Sequence, residues 1–128
     1  MEPKLHHIAL GARDVERVAA FYRDILGLRE LVRHGEPDGS VRSVWLELGG
    51  PVLMIERTGE PVRHVAGVGS GPFLIALALT PQECDACERA LSSQGTSIES
   101  RSEHTRYFRD PEGNRVAVSS YPIEHSQI

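Results

Sequence analysis

From Val15 onward the apolar residues Val15, Val18, Ala19, Tyr22, Ile25 and Leu26 recur at the spacing of one helical face. Asp14 stands before this run as an N-cap and Gly27 after it as a C-cap. A second helix is predicted from Thr80-Pro81-Gln82-Glu83, which has the form of a capping box with proline at the first helical position, and it closes at Gly95. On it Cys84, Cys87 and Leu91 fall at i, i+3, i+7, the apolar stripe of an amphipathic helix. Around the helices, alternating or β-rich runs predict strands at Leu5 to Leu10, Val41 to Leu48, Pro51 to Arg57, Phe73 to Leu77 and Arg115 to Ser119. Weaker strand signals lie at Arg29 to His34, Ser97 to Arg101 and Arg106 to Arg109. Gly49-Gly50-Pro51 and Asp110-Pro111-Glu112-Gly113-Asn114 read as turns.

The order of these elements repeats. His7-Ile8-Ala9-Leu10 and Leu74-Ile75-Ala76-Leu77 each lead into a helix and then into strand-like sequence, which is the signature of two copies of one βαβββ module. The modules are expected over about 4–57 and about 73–120, joined by a Gly- and Pro-rich linker over about 58–72. The fold class is therefore α+β, in a single domain.

Strand alternation sorts the side chains by face. Ile8, Leu10, Leu53 and Ile55 are expected under the first helix, with His7, Ala9, Val52, Met54 and Glu56 on the open face. In the second copy Ile75, Leu77, Leu79, Val116 and Val118 go under the helix, leaving Leu74, Ala76, Ala78, Arg115, Ala117 and Ser119 opposite. Trp45 shares the open side with Ser43 and Glu47, and Tyr107 shares its side with Thr105 and Arg109. One open, partly polar face per module is what a ligand site needs. His6 falls on the strand face opposite His7, so that pair is not expected to chelate one ion.

Composition narrows the partners. The 128 residues carry 14 Lys and Arg against 18 Asp and Glu, a formal charge of −4 with no basic block to track a phosphate backbone. Nucleic acid is thus not an expected partner. The first residues lack a basic segment followed by a long apolar run, and no apolar stretch reaches membrane-spanning length, so a cytoplasmic protein without a membrane partner is expected. The Cys84-x-x-Cys87 spacing reads as core packing on the second helix in preference to redox or zinc chemistry.

The chain resembles the vicinal oxygen chelate superfamily, which includes glyoxalase I, bleomycin-resistance proteins, fosfomycin-resistance transferases and extradiol dioxygenases. The resemblance is carried by His7-Ile8-Ala9-Leu10, Arg13-Asp14-Val15, Phe21-Tyr22-Arg23-Asp24-Ile25-Leu26-Gly27-Leu28 and Tyr107-Phe108-Arg109-Asp110-Pro111-Glu112-Gly113-Asn114. It implies two βαβββ modules whose mixed sheets curl around a shared cleft, usually in a homodimer. It also implies four metal-ligand positions: the residue before Ile-Ala-Leu in each module and an acidic residue on each module's last strand. Carried over, these are His7 and Glu56 in the first module, and Leu74 and Ala117 in the second.

Half of that set lacks a ligating side chain, so no cofactor is expected beyond a weakly bound divalent metal at His7 and Glu56. His64 and His104 lie in loop-like sequence outside the matching positions. The leading expectation is a small-molecule-binding protein of the glyoxalase/bleomycin-resistance type with an incomplete metal site. The alternative is a lyase, isomerase or glyoxalase-like enzyme using His7 and Glu56 as a catalytic pair, with or without a divalent metal. Trp45, Met54, Leu74, Thr105, Tyr107, Arg115 and Ala117 are the expected ligand-binding residues. Trp45 serves equally as a ligand-stacking wall or as an anchor in a dimer interface, and Arg115 as an anion holder or a solvated rim charge.

Overall fold

The computed structural model describes residues 1–123, and the polar tail expected past Tyr121-Pro122 lies, from residue 124 on, outside the described residues. The elements run β1 (His7–Ala12), α1 (Val15–Leu26), β2 (Glu30–Gly35), β3 (Val41–Glu47) and β4 (Val52–Arg57). There follow β5 (Ile75–Ala78), α2 (Pro81–Ser93), β6 (Ser100–Arg101), β7 (Thr105–Arg109) and β8 (Arg115–Ser119). This is the α+β arrangement of two βαβββ modules, each with its own four-stranded mixed sheet. The chain divides into two compact units between Arg63 and His64, inside the expected linker.

In the first unit the strand order is β1-β4-β3-β2, with β1 parallel to β4 and the remaining pairs antiparallel. Helix α1 starts where Asp14 accepts a hydrogen bond from the Arg17 backbone N–H at 3.1 Å. It stops at Gly27, whose φ of 69° is left-handed and whose N–H donates to the Arg23 carbonyl. Val15, Val18, Ala19, Tyr22 and Ile25 are buried on the helix, and Val44, Leu46, Leu53 and Ile55 are buried on the strands. Along β1 and β4 burial alternates, with Leu53 and Ile55 more buried than Val52, Met54 and Glu56, as strand parity requires.

The second unit repeats the plan with the order β5-β8-β7-β6, β5 being parallel to β8. The capping box forms: Thr80 Oγ1 accepts from the Glu83 N–H at 3.1 Å, and Glu83 accepts from the Thr80 N–H at 2.9 Å. Cys84, Cys87 and Leu91 are the buried residues of α2, and Phe108, Val116 and Val118 are buried on the sheet. Both thiols are free, and burial raises each above the ordinary thiol value, Cys87 to about 11. A thiol so disfavoured as thiolate is a poor nucleophile, which fits the packing role expected from the sequence.

The turn between β7 and β8 is built around Asp110, only 4% exposed. Its carboxylate accepts from the Glu112 and Asn114 backbone N–H groups and from the Asn114 side-chain amide, all at 2.9 Å. Gly113 closes the turn with a φ of 88°. This turn fixes the register of β8, and with it the residues of the second unit's open face.

Candidate functional site

Because β3, β4 and β1 are in register, the first unit's open face consists of rows. His7 is level with Val52 and Glu47, Ala9 with Met54 and Trp45, and Gly11 with Glu56 and Ser43. His34 on β2 extends the last row, and its ring meets the Trp45 indole edge-on, centroids 5.0 Å apart. His7 is exposed, whereas Glu56, Trp45 and Met54 are half-buried.

These rows correct the expected His7 and Glu56 pair. The two residues share a face but stand four residues apart in the register, roughly 13 Å along the strands at about 3.3 Å per residue. Two ligands of one ion must each bring a donor to within about 2.0–2.2 Å of it. The same separation removes the direct hydrogen bond that an acid/base pair would use.

His7 instead meets His6. Their Nδ1 atoms are 2.9 Å apart, with the rings edge-to-face. The expectation that they point to opposite faces fails because β1 begins at His7, leaving His6 outside the strand geometry that enforces alternation.

In the second unit the open-face rows are Ala78, Ser119 and Thr105; then Ala76, Ala117 and Tyr107; then Arg115 and Arg109. Thr105 and Ser119 share a hydrogen bond of 2.7 Å between their hydroxyls. The Arg115 guanidinium lies over the Tyr107 ring, 4.5 Å from its centroid. Arg109 grips Glu99 with two hydrogen bonds of 2.8 and 3.1 Å, and also donates to the Val65 and Gly113 carbonyls. The hydrogen bond from Arg109 is the largest reason that the Glu99 carboxyl sits below its ordinary value.

Leu74, Thr105, Tyr107 and Arg115 are half-buried. Ala117 departs from expectation: it is 0% exposed, so it forms the floor beneath its neighbours and presents no surface to a ligand. His104 directs its ring to Tyr121, 5.6 Å between centroids, and His64 is exposed. Ser43, His34, Arg109 and Glu99 were not among the expected site residues. Parity places Ser43 and Arg109 on these faces, but partners on β2 and on the segment before β6 become visible only once the strands are paired.

The two sets of rows also superpose the two modules. His7 corresponds to Leu74, each being the residue level with the first position of its module's last strand or next to it. Met54 then corresponds to Ala117, and Glu56 to Ser119.

The model of the Glyoxalase/Bleomycin resistance protein/Dioxygenase superfamily matches residues 4–118. The chain belongs to this superfamily. No curated protein matches it. Among solved structures it is similar to a mutant fosfomycin resistance protein FosX from Listeria monocytogenes, complexed with Mn(II) and 1S,2S-dihydroxypropylphosphonic acid. That likeness has a TM-score of 0.80 at 18% identity and covers 96% of each chain. FosX from Mesorhizobium loti gives 0.78 at 16% identity, over 96% of this chain and 95% of that one. Lactoylglutathione lyase from Agrobacterium tumefaciens gives 0.67 at 24% identity, over 92% and 93%. Identities this low carry the fold and no more.

Glyoxalase-superfamily membership raises the question of a divalent metal, and the donors within each unit do not fit one. By the superposition of the modules, the last-strand position equivalent to Ala117 is Met54, so the four positions hold His7, Met54, Leu74 and Ala117. One imidazole remains. Among the described residues no group of three His, Cys, Asp or Glu side chains is gathered. Nor, among them, is any helix long and apolar enough to cross a membrane.

Proposed function

We propose that this superfamily member binds a small molecule on the open sheet faces without the chelate that its metal-dependent relatives use. The reading is supported chiefly by the row alignment that leaves His7 as the one ligating side chain at the four inherited positions. A single imidazole cannot retain a divalent ion against dilution, because a catalytic zinc site draws on about three protein ligands. What the faces do offer is half-buried aromatic surface at Trp45 and Tyr107 with polar groups beside it, the composition of a small-molecule site. The proposal takes the protein as a homodimer, a state that light scattering measures directly.

The test is metal content after incubation with Zn²⁺, Ni²⁺, Mn²⁺ or Fe²⁺ and desalting, in the wild type and in His7→Ala. The expected result is no stoichiometric retention in either, together with ligand-induced thermal shifts in a compound screen. Near-stoichiometric metal that disappears in His7→Ala would overturn the proposal in favour of a lyase, isomerase or glyoxalase-like enzyme.

A further inference from the structure

Arg115 is an incompletely hydrogen-bonded charge in the second unit. Its side chain is 15% exposed, and its Nε is buried without a hydrogen-bond partner. Glu99 Oε1 stands 3.6 Å from that Nε, an ion pair longer than a hydrogen bond, and both Glu99 oxygens also accept from Arg109. Two guanidiniums thus share the Glu99 carboxylate, with the Asp110 carboxylate also acting on Arg109. A guanidinium carries five N–H donors, and each one buried without an acceptor is costly.

Its surroundings define what would relieve that cost. One face of the guanidinium is against the Tyr107 ring and its Nε is buried beside Glu99, so the edge formed by the two terminal nitrogens is left for a partner. That edge matches two oxygens of one oxyanion, as in a carboxylate or a phosphate. One row along the same face, Ala76 leaves an exposed, methyl-sized position on the neighbouring strand, with room for a small carbon skeleton. We infer that Arg115, braced by Tyr107, is an oxyanion-binding residue, and that the ligand of this protein carries a carboxylate or phosphate-type group attached to a small organic body. The inference rests on the small-molecule-binding reading above, but it is tested without metal or turnover, so either can fail alone.

The experiment follows the Arg115 Nε–H resonance in ¹⁵N-labelled full-length protein during titration with inorganic phosphate and, separately, with acetate, each against sodium chloride at equal ionic strength. The expected result is a saturable shift of Arg115 with at least one oxyanion while the Arg109 Nε–H, locked to Glu99, stays still. Half-saturation should weaken about tenfold in Arg115→Lys, which keeps the charge and loses the fork. In Arg115→Met the saturable perturbation of neighbouring Tyr107 should vanish. Should Arg115→Met fail to fold, the wild-type and Arg115→Lys titrations still decide. Response to phosphate, acetate or both supports the assignment and identifies the oxyanion. Shifts equal to those in chloride, or a Tyr107 perturbation that persists undiminished in Arg115→Met, overturn it.

Discussion

The two units share one topology and differ in what their helices bury. Helix α1 presses Val18, Tyr22 and Ile25 against its sheet, whereas α2 offers two thiols and a single large aliphatic side chain, Leu91. Their open faces differ as well: imidazoles, an indole and two carboxylates on the first, stacked arginine and tyrosine above alanines on the second. The register and the parallel pairing of first and last strands are common to both, so the scaffold tolerates wide variation in what covers either side of the sheet. Chemistry on this fold is decided by which residue stands in which row.

The difference in core depth gives the largest expected effect. Leu91→Ala, at a site 0% exposed, should cost in the upper part of the range of about 2–5 kcal/mol, because little else anchors α2. Leu46→Ala, equally buried under the better-filled α1, should cost less. Urea unfolding measures both, and amide exchange should show α2 losing protection in Leu91→Ala while α1 keeps it. Equal loss over both helices would mean that the units are equally anchored.

A smaller effect tests the helix starts. Thr80→Ala removes one half of a reciprocal capping box, and Asp14→Ala removes a single cap, so each should cost about 1 kcal/mol with Thr80→Ala the larger. The reverse order in thermal unfolding would place more of the stability of α2 in its stripe than in its cap.

The smallest effect concerns acid. Glu30 is held below its ordinary value of 4.5 mainly by a hydrogen bond from Arg33, with Arg23 also near, and Glu88 mainly by Arg101, with Arg106 also near. A carboxylate depressed in the folded state contributes stability that is full above its unfolded value and lost as pH falls through the lower folded one. Stability should therefore decline below about pH 4.5, and Glu30→Gln and Glu88→Gln should each flatten that decline slightly, as expected of partly exposed pairs. A flattening confined to one variant would show that the two ion-pair clusters are not equivalent.

Much of this molecule was legible in the chain. Helix limits followed from Asp14, Gly27 and the Thr80 box, because caps are local. Faces followed from alternation, because strand geometry is local too. The level of one strand against another is not local, and this is why carrying over the family's acidic last-strand position lands on Glu56: parity puts it on the face of His7 and says nothing of the four residues between their rows. A signal was present, since Gly50 precedes Val52 by the same interval that Gly113 precedes Arg115. Counting from those turn glycines puts Met54, not Glu56, at the level of Ala117. The burial of Ala117 and the Nδ1 contact of His6 had no comparable sequence signal, as both depend on neighbouring side chains.

The parallel pairing of β1 with β4 orders events in time. In the sheet β1 has one neighbour, and that neighbour is the final strand of its own module. A chain emerging from the ribosome can form α1 and the hairpin of β2 and β3 early, yet β1 waits without a ladder until β4 has been synthesised. Its closure is the most distant contact in the module and thus the step that loop entropy slows. The second module repeats the arrangement with β5 and β8, so β1 and β5 are each expected to dock only once their module's last strand is available.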